Sequence, residues 1–184
     1  DDADALYRQG VRWWPEWRFF NTRILGILER GDFDALRRVD LQPGARGYGP
    51  GQADSVALVA AVKARSLPQL KQICAHAEQS FLIIPCMLAL ARLGDLDGAY
   101  ALADDLYVRQ LGRTPGETER IWLDNPDSLP LEVVTSAGAA PMRRDPRFMQ
   151  LAERTGLLAY WRSGRPPDFC RQNPEPVCRS LLAR

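Results

Sequence analysis

The chain has 184 residues, 46% of them hydrophobic, and a net charge of +1 from 24 basic and 23 acidic side chains. That suits one domain with a sizeable core, burying about 70% of the extended chain's surface. Only Lys63 and Lys71 accompany 22 scattered Arg residues, and no basic stripe alternates with aromatics. This argues against nucleic-acid binding.

The charge is uneven. Residues 141–184 hold nine Arg against four acids, +5, while residues 1–140 hold fifteen basic against nineteen acidic groups, −4. The basic end reads as a solvated surface, or as a dock for an acidic partner or membrane headgroups. The longest apolar run, Phe81–Ala91, has eleven residues and contains Pro85. A bilayer span needs about 20. Asp1 stands where an initiating Met would, so a processed form or excised piece is expected, with any anchor or targeting segment upstream.

In chain order, Asp1–Gln9 reads as a short helix ending at Gly10. Pro15 suits the first position of a helix over Pro15–Arg30, with Trp17, Phe20, Ile24, Ile27 and Leu28 at helical spacing. Gly31-Asp32 ends it, and Phe33–Val39 is its partner. Leu41–Gln52, with four Gly and two Pro, is a loop. Helices follow at Ala53–Arg65 (Val56, Val59, Ala60, Val62) and Pro68–Glu78, then near 81–93 and 96–110. Pro85 either kinks its helix or marks a start near Ile84. Arg113–Pro130 is irregular, with two helical turns allowed at Glu117–Leu123. Leu131–Ala137 is a short helix. Asp145-Pro146-Arg147-Phe148 is a helix start with Asp as cap; Phe148, Leu151 and Ala152 face inward and Gly156 closes the helix. Leu157–Arg162 adds a last turn before a Pro-rich tail at 164–184. No stretch alternates as a strand would, so the class is all-α.

Three of the turns align. ILERGDFDALRRV from Ile27, VKARSLPQLKQI from Val62 and LARLGDLDGAYAL from Leu90 superpose with Gly31, Arg65 and Gly94 in register, 34 and 29 residues apart. Phe33/Leu36, Leu67/Leu70 and Leu96/Ala99 then fall at matching positions. A helix pair recurring at this period is the mark of a helical solenoid. The expected architecture is antiparallel pairs over 1–110, an irregular segment with capping helices over 111–163, and the tail. Leu93 and Leu102 are expected between neighbouring helices.

Catalytic chemistry is hard to find. His76 is the sole histidine, and Cys74, His76 and Glu78 at i, i+2 and i+4 splay over different helix faces. Asp104-Asp105 and Glu117/Glu119 read as solvated acids. Gly44–Gly51 lacks the Lys-Ser/Thr of a nucleotide loop, and GxSxG and HExxH are absent. A non-enzyme is expected, without metal or cofactor. The aromatic cluster Trp13, Trp14, Trp17, Phe19 and Phe20 either caps the end of the core or offers a binding surface. Trp13 and Trp17, with Tyr48 and Trp122 in the irregular stretches, are the candidate binding residues.

The paired-helix unit in LARLGDLDGAYALADDL and ILERGDFDALRRV resembles tetratricopeptide repeats. MRRDPRFMQLAERTGLLAYWRSGRPPDFC is similar to the C-terminal end of tetratricopeptide-containing bacterial proteins, many with an N-terminal winged helix-turn-helix domain and some with a membrane span. The resemblance covers roughly 20–40 and 60–170. It implies a sensory module of a transcriptional regulator that holds a protein, a peptide or a small ligand in the concave groove of its helices. Its DNA-binding part and any membrane anchor would lie upstream. A structural adaptor in a cell-envelope complex is the alternative.

Four cysteines complete the reading. Cys170 and Cys178 enclose RQNPEPV, which has two prolines and no helix signal. A bridge closing that nine-residue loop would contribute roughly 2.5 kcal/mol. Cys74 and Cys86 lie six residues either side of Ser80, at similar heights in an antiparallel pair. They can form a second bridge or remain free in the core. Either bridge implies an oxidising compartment, most simply the bacterial periplasm; four free thiols imply a cytoplasmic module.

Overall fold

The structure is a computed structural model and describes residues 17–39, 52–77, 82–109, 131–164, 166–172, 175 and 177–179. The expected helix at 1–9, the loop at 41–51 and the irregular stretch at 113–130 lie outside those residues. The described residues form helices joined by turns, with no strand. The helices are α1 Trp17–Glu29, α2 Phe33–Arg37, α3 Gln52–Lys63, α4 Leu67–Cys74, α5 Ile83–Leu93 and α6 Leu96–Ala103, the last continuing as a π-helical turn over Asp104–Arg109. After them come α7 Glu132–Thr135, a 3₁₀ turn at Ala137–Ala139, α8 Ala140–Arg143, α9 Arg147–Arg154, α10 Leu157–Arg162 and α11 Asp168–Gln172.

The three aligned turns have one geometry. Gly31, Arg65 and Gly94 all take left-handed backbones, with φ of +66°, +51° and +91°. In each, the next residue's N–H reaches back five residues: Asp32 to Ile27, Ser66 to Ala61 and Asp95 to Leu90. This closure satisfies carbonyls that a helix end otherwise leaves unpaired. Asp32 and Asp95 then accept the N–H of Ala35 and Gly98 at 2.8 and 3.3 Å, opening the next helix, while Ser66 makes no such side-chain bond. Leu36, Leu70 and Ala99 occupy equivalent sites and are fully buried. Arg65 is the exception in composition. A side chain in that left-handed region costs about 1 kcal/mol, which glycine avoids.

Helix α5 is the hub. Every residue from Ile83 to Ala91 is buried, as an apolar sequence on all faces of a helix demands. Pro85 sits third in α5, where no intrahelical donor is required, and the first i to i−4 bond runs from Cys86 to Leu82. The helix therefore begins at Ile83 and needs no kink at the proline. Leu102 is buried as expected, but Leu93 is only partly covered. On α3 the buried stripe is Leu58, Val59, Ala61 and Val62; Ala60 points to solvent.

The pairs do not simply queue along an axis. Helix α1 packs on α3 and also on α5, the first helix of the third pair. The 3₁₀ turn at residues 137–139 packs against both α1 and α5, and α8 continues from it onto α5 and α6. In that turn Gly138 lies backbone to backbone with α1: a methyl on it would come within 2.0 Å of the Leu28 carbonyl oxygen.

The C-terminal part is also packed. Phe148 stacks on Trp161 at 6.3 Å, and Trp161 meets Phe169 edge-on at 5.9 Å. Cys170 lies in α11, so this stretch is helical where the sequence carried no helix signal. Arg143, 4% exposed, anchors the tail. Its Nε donates to Glu175 Oε2 at 2.6 Å, and Nη2 donates to Oε1 at 3.3 Å. Nη1 donates to the Val134 carbonyl at 3.1 Å and to that of Ser136. The guanidinium also lies 4.5 Å over the Phe169 ring.

Gly138→Ala is expected to destabilise the fold by about 3 kcal/mol, because backbone rather than a yielding side chain must move; chemical denaturation measures it. Glu175→Ala should cost about 3–5 kcal/mol by leaving Arg143 buried and unpaired, and Arg143→Met combined with Glu175→Leu should recover most of that loss. A double-mutant denaturation cycle reads the coupling.

Candidate functional site

Side chains on α4, α5 and α6 bound a groove of about 520 Å³. Lys71 and Cys74 come from α4, Leu90 from α5, Asp95 from the third turn, and Asp97, Gly98, Ala101 and Leu102 from α6, with Asp105 just beyond. Leu90 and Leu102 form an apolar floor. Lys71 Nζ lies 3.0 Å from Asp95 Oδ2 across the groove. Asp95 therefore serves twice, as helix cap and as ion-pair partner, and Gly98 leaves it room: a methyl there would stand 2.7 Å from its Oδ2. The helix turn so prominent in the sequence is one wall of this groove.

Beside the groove, Arg147 ties the third pair to α9. Its Nη1 reaches Asp97 at 2.6 Å, and its Nε and Nη2 reach the two oxygens of Asp145, both at 2.9 Å. Asp145 also accepts the Arg147 backbone N–H at 2.9 Å, but Pro146 rather than the expected Asp145 takes the N-cap position of α9. The hydrogen bond from Arg147 holds the Asp145 carboxyl below its ordinary range. The same bond, then that to Asp97, keeps the guanidinium firmly charged. Arg147 stacks 4.6 Å over the Tyr100 ring, whose hydroxyl donates to the Met142 carbonyl at 2.8 Å. Burial, then the charge of Asp145, pushes the Tyr100 phenol up, so it remains a donor. Arg154 pairs with Asp104 at the start of the π-helical turn.

Of the residues singled out from sequence, Trp13, Tyr48 and Trp122 lie outside the described residues, as does the side chain of Trp17. The cysteines are brought together in both pairs. Cys74–Cys86, with Cα atoms 5.7 Å apart, joins α4 to α5, and Cys170–Cys178, at 5.4 Å, closes the tail loop. Cys74 is thereby oxidised in the wall of the groove, and His76 faces solvent. No cluster of three or more metal-ligating side chains occurs among the described residues. Sequence reasoning missed Lys71, Asp97 and Arg147 as neighbours. The Asp145–Phe148 block was the one signal pointing at Arg147.

No family model, curated protein or solved structure matches the chain. The two cysteine pairs fit an oxidising compartment. No helix among the described residues is long and apolar enough to cross a membrane.

Asp145→Asn tests the Arg147 clamp through pH. A carboxyl lowered in the folded state stabilises fully above the ordinary carboxylate range, and this is lost as pH falls through and below it. The wild type should melt above the variant at neutral pH, and the gap should close as acid protonates Asp145. Thermal melts across pH 2–7, roughly the span in which carboxylates titrate, measure this.

Proposed function

We propose that the chain is a non-catalytic sensory module of a bacterial transcriptional regulator, working in the periplasm, with its DNA-binding part and any anchor in other residues. The thrice-repeated helix turn carries this reading, because stacked hairpins build extended surfaces for partners rather than reaction centres. The bridged cysteines support the compartment. The resemblance of the Asp145–Cys170 stretch to tails of such regulators supports the class. The groove beside α4 and α6 is the better place for a protein or peptide partner than the side of α1 and α5 against which residues 137–139 pack. Its apolar floor and charged rim suit a side chain inserted between ionic contacts.

The alternative, an adaptor in an envelope complex, draws on the same packing, since a cross-linked, filled core suits a rigid spacer. The two separate in the native cell. Ala101 is exposed in the groove wall, and Ala101→Arg fills the groove without touching the core. In the regulator reading, a strain with this variant at normal protein level shows the same transcript changes as a strain lacking the protein. Unchanged transcripts with a leaky envelope would favour the adaptor. Blocking free thiols in intact cells, then measuring mass after denaturation, should find none of the four cysteines modified in the native protein.

A further inference from the structure

A second cavity, of about 700 Å³, lies where the three repeated turns converge. Gly31 to Asp34 and Arg37 come from the first turn, Val62 and Arg65 from the second, and Arg92 and Leu93 from the third. Its volume falls within the range of small-ligand pockets. Both of its carboxylates are engaged: Asp32 caps Ala35 at 2.8 Å, and Asp34 pairs with Arg37 at 3.2 Å. Arg65 and Arg92 have no carboxylate partner among the described residues. The Arg92 guanidinium carbon lies 4.9 Å from the centre of the Phe33 ring, a cation–π contact that holds the side chain at the cavity. Arg65 holds the left-handed position that glycine fills in the other two turns. A side chain kept where the backbone disfavours it points to use of that side chain.

We infer that this cavity binds a small organic anion, a carboxylate or phosphate group carried on an apolar body. Arg65 and Arg92 grip the anionic group, and Phe33, Val62 and Leu93 line the wall for the apolar part. Guanidinium forks match the paired oxygens of either group. The inference supplies a ligand class for the sensory reading and rests on it only for biological use. Binding to the isolated chain and transcript changes in cells fail independently.

Titration calorimetry on the oxidised 184-residue chain uses benzoate, phenyl phosphate and inorganic phosphate as probes. Saturable binding of benzoate or phenyl phosphate is expected, tighter than that of inorganic phosphate and weakened by salt. The tighter of the two organic probes tells carboxylate from phosphate. Arg65→Gly and Arg92→Gln should each weaken binding by about tenfold, the loss of one charge-assisted hydrogen bond. Arg65→Gly should melt no lower than wild type, since glycine accepts the turn's backbone, and Arg92→Gln alone decides if it does not fold. The inference is overturned if no organic probe binds below roughly 10 mM, if inorganic phosphate binds as tightly as they do, or if both variants bind like wild type.

Discussion

The paired helices of this fold are arranged by the need to bury α5. A helix that is apolar on every face cannot rest on one neighbour; it must be surrounded. Helices α1, α3, α4 and α6, the 3₁₀ turn and α8 do this together. Each of those elements is only partly apolar, so each depends on α5 as much as α5 depends on them. The Cys74–Cys86 bridge enters α5 on its first turn, fixing how α4 approaches it.

This explains why three equivalent hairpins fail to give a plain linear stack. In a solenoid each repeat meets its neighbours alone, and its first helices line an open face. Here α1 reaches past α3 to α5, and residues 137–139 pack against both α1 and α5. The Gly138 contact sets that closeness, because any larger residue would hold the segment away from the Leu28 carbonyl. Among the described residues, two cavities lie at the hairpin turns and along α4 and α6, where charged side chains surround apolar ones.

Legibility in the sequence followed range. Gly31 and Gly94, with Asp32 and Asp95 one step on, specify their turns within six residues, and the all-α class follows from such signals. Leu36, Leu70 and Ala99 were readable as core from the same register. The seat of residues 137–139 on α1 was not, because Ala137-Gly138-Ala139 carries no periodicity and its partner is a carbonyl more than a hundred positions earlier. The ion pair of Arg143 with Glu175 spans 32 residues, and no spacing rule joins two charges so far apart. The groove shows the same limit: the turn at Gly94 makes Asp95 a helix cap, but nothing local places Lys71, one helix pair earlier, across from it.

The Arg143 anchor bears on where this domain can be cut. Glu175 supplies the carboxylate, and Cys178 closes the loop that carries it. A fragment ending after α10 would keep every helix pair yet strand a guanidinium in the interior, with Trp161 stripped of Phe169. Proteolytic trimming or a shortened expression fragment would therefore unsettle residues 134–143 and, through Gly138, the first hairpin. The minimal stable unit extends through Cys178, well past the last regular helix pair.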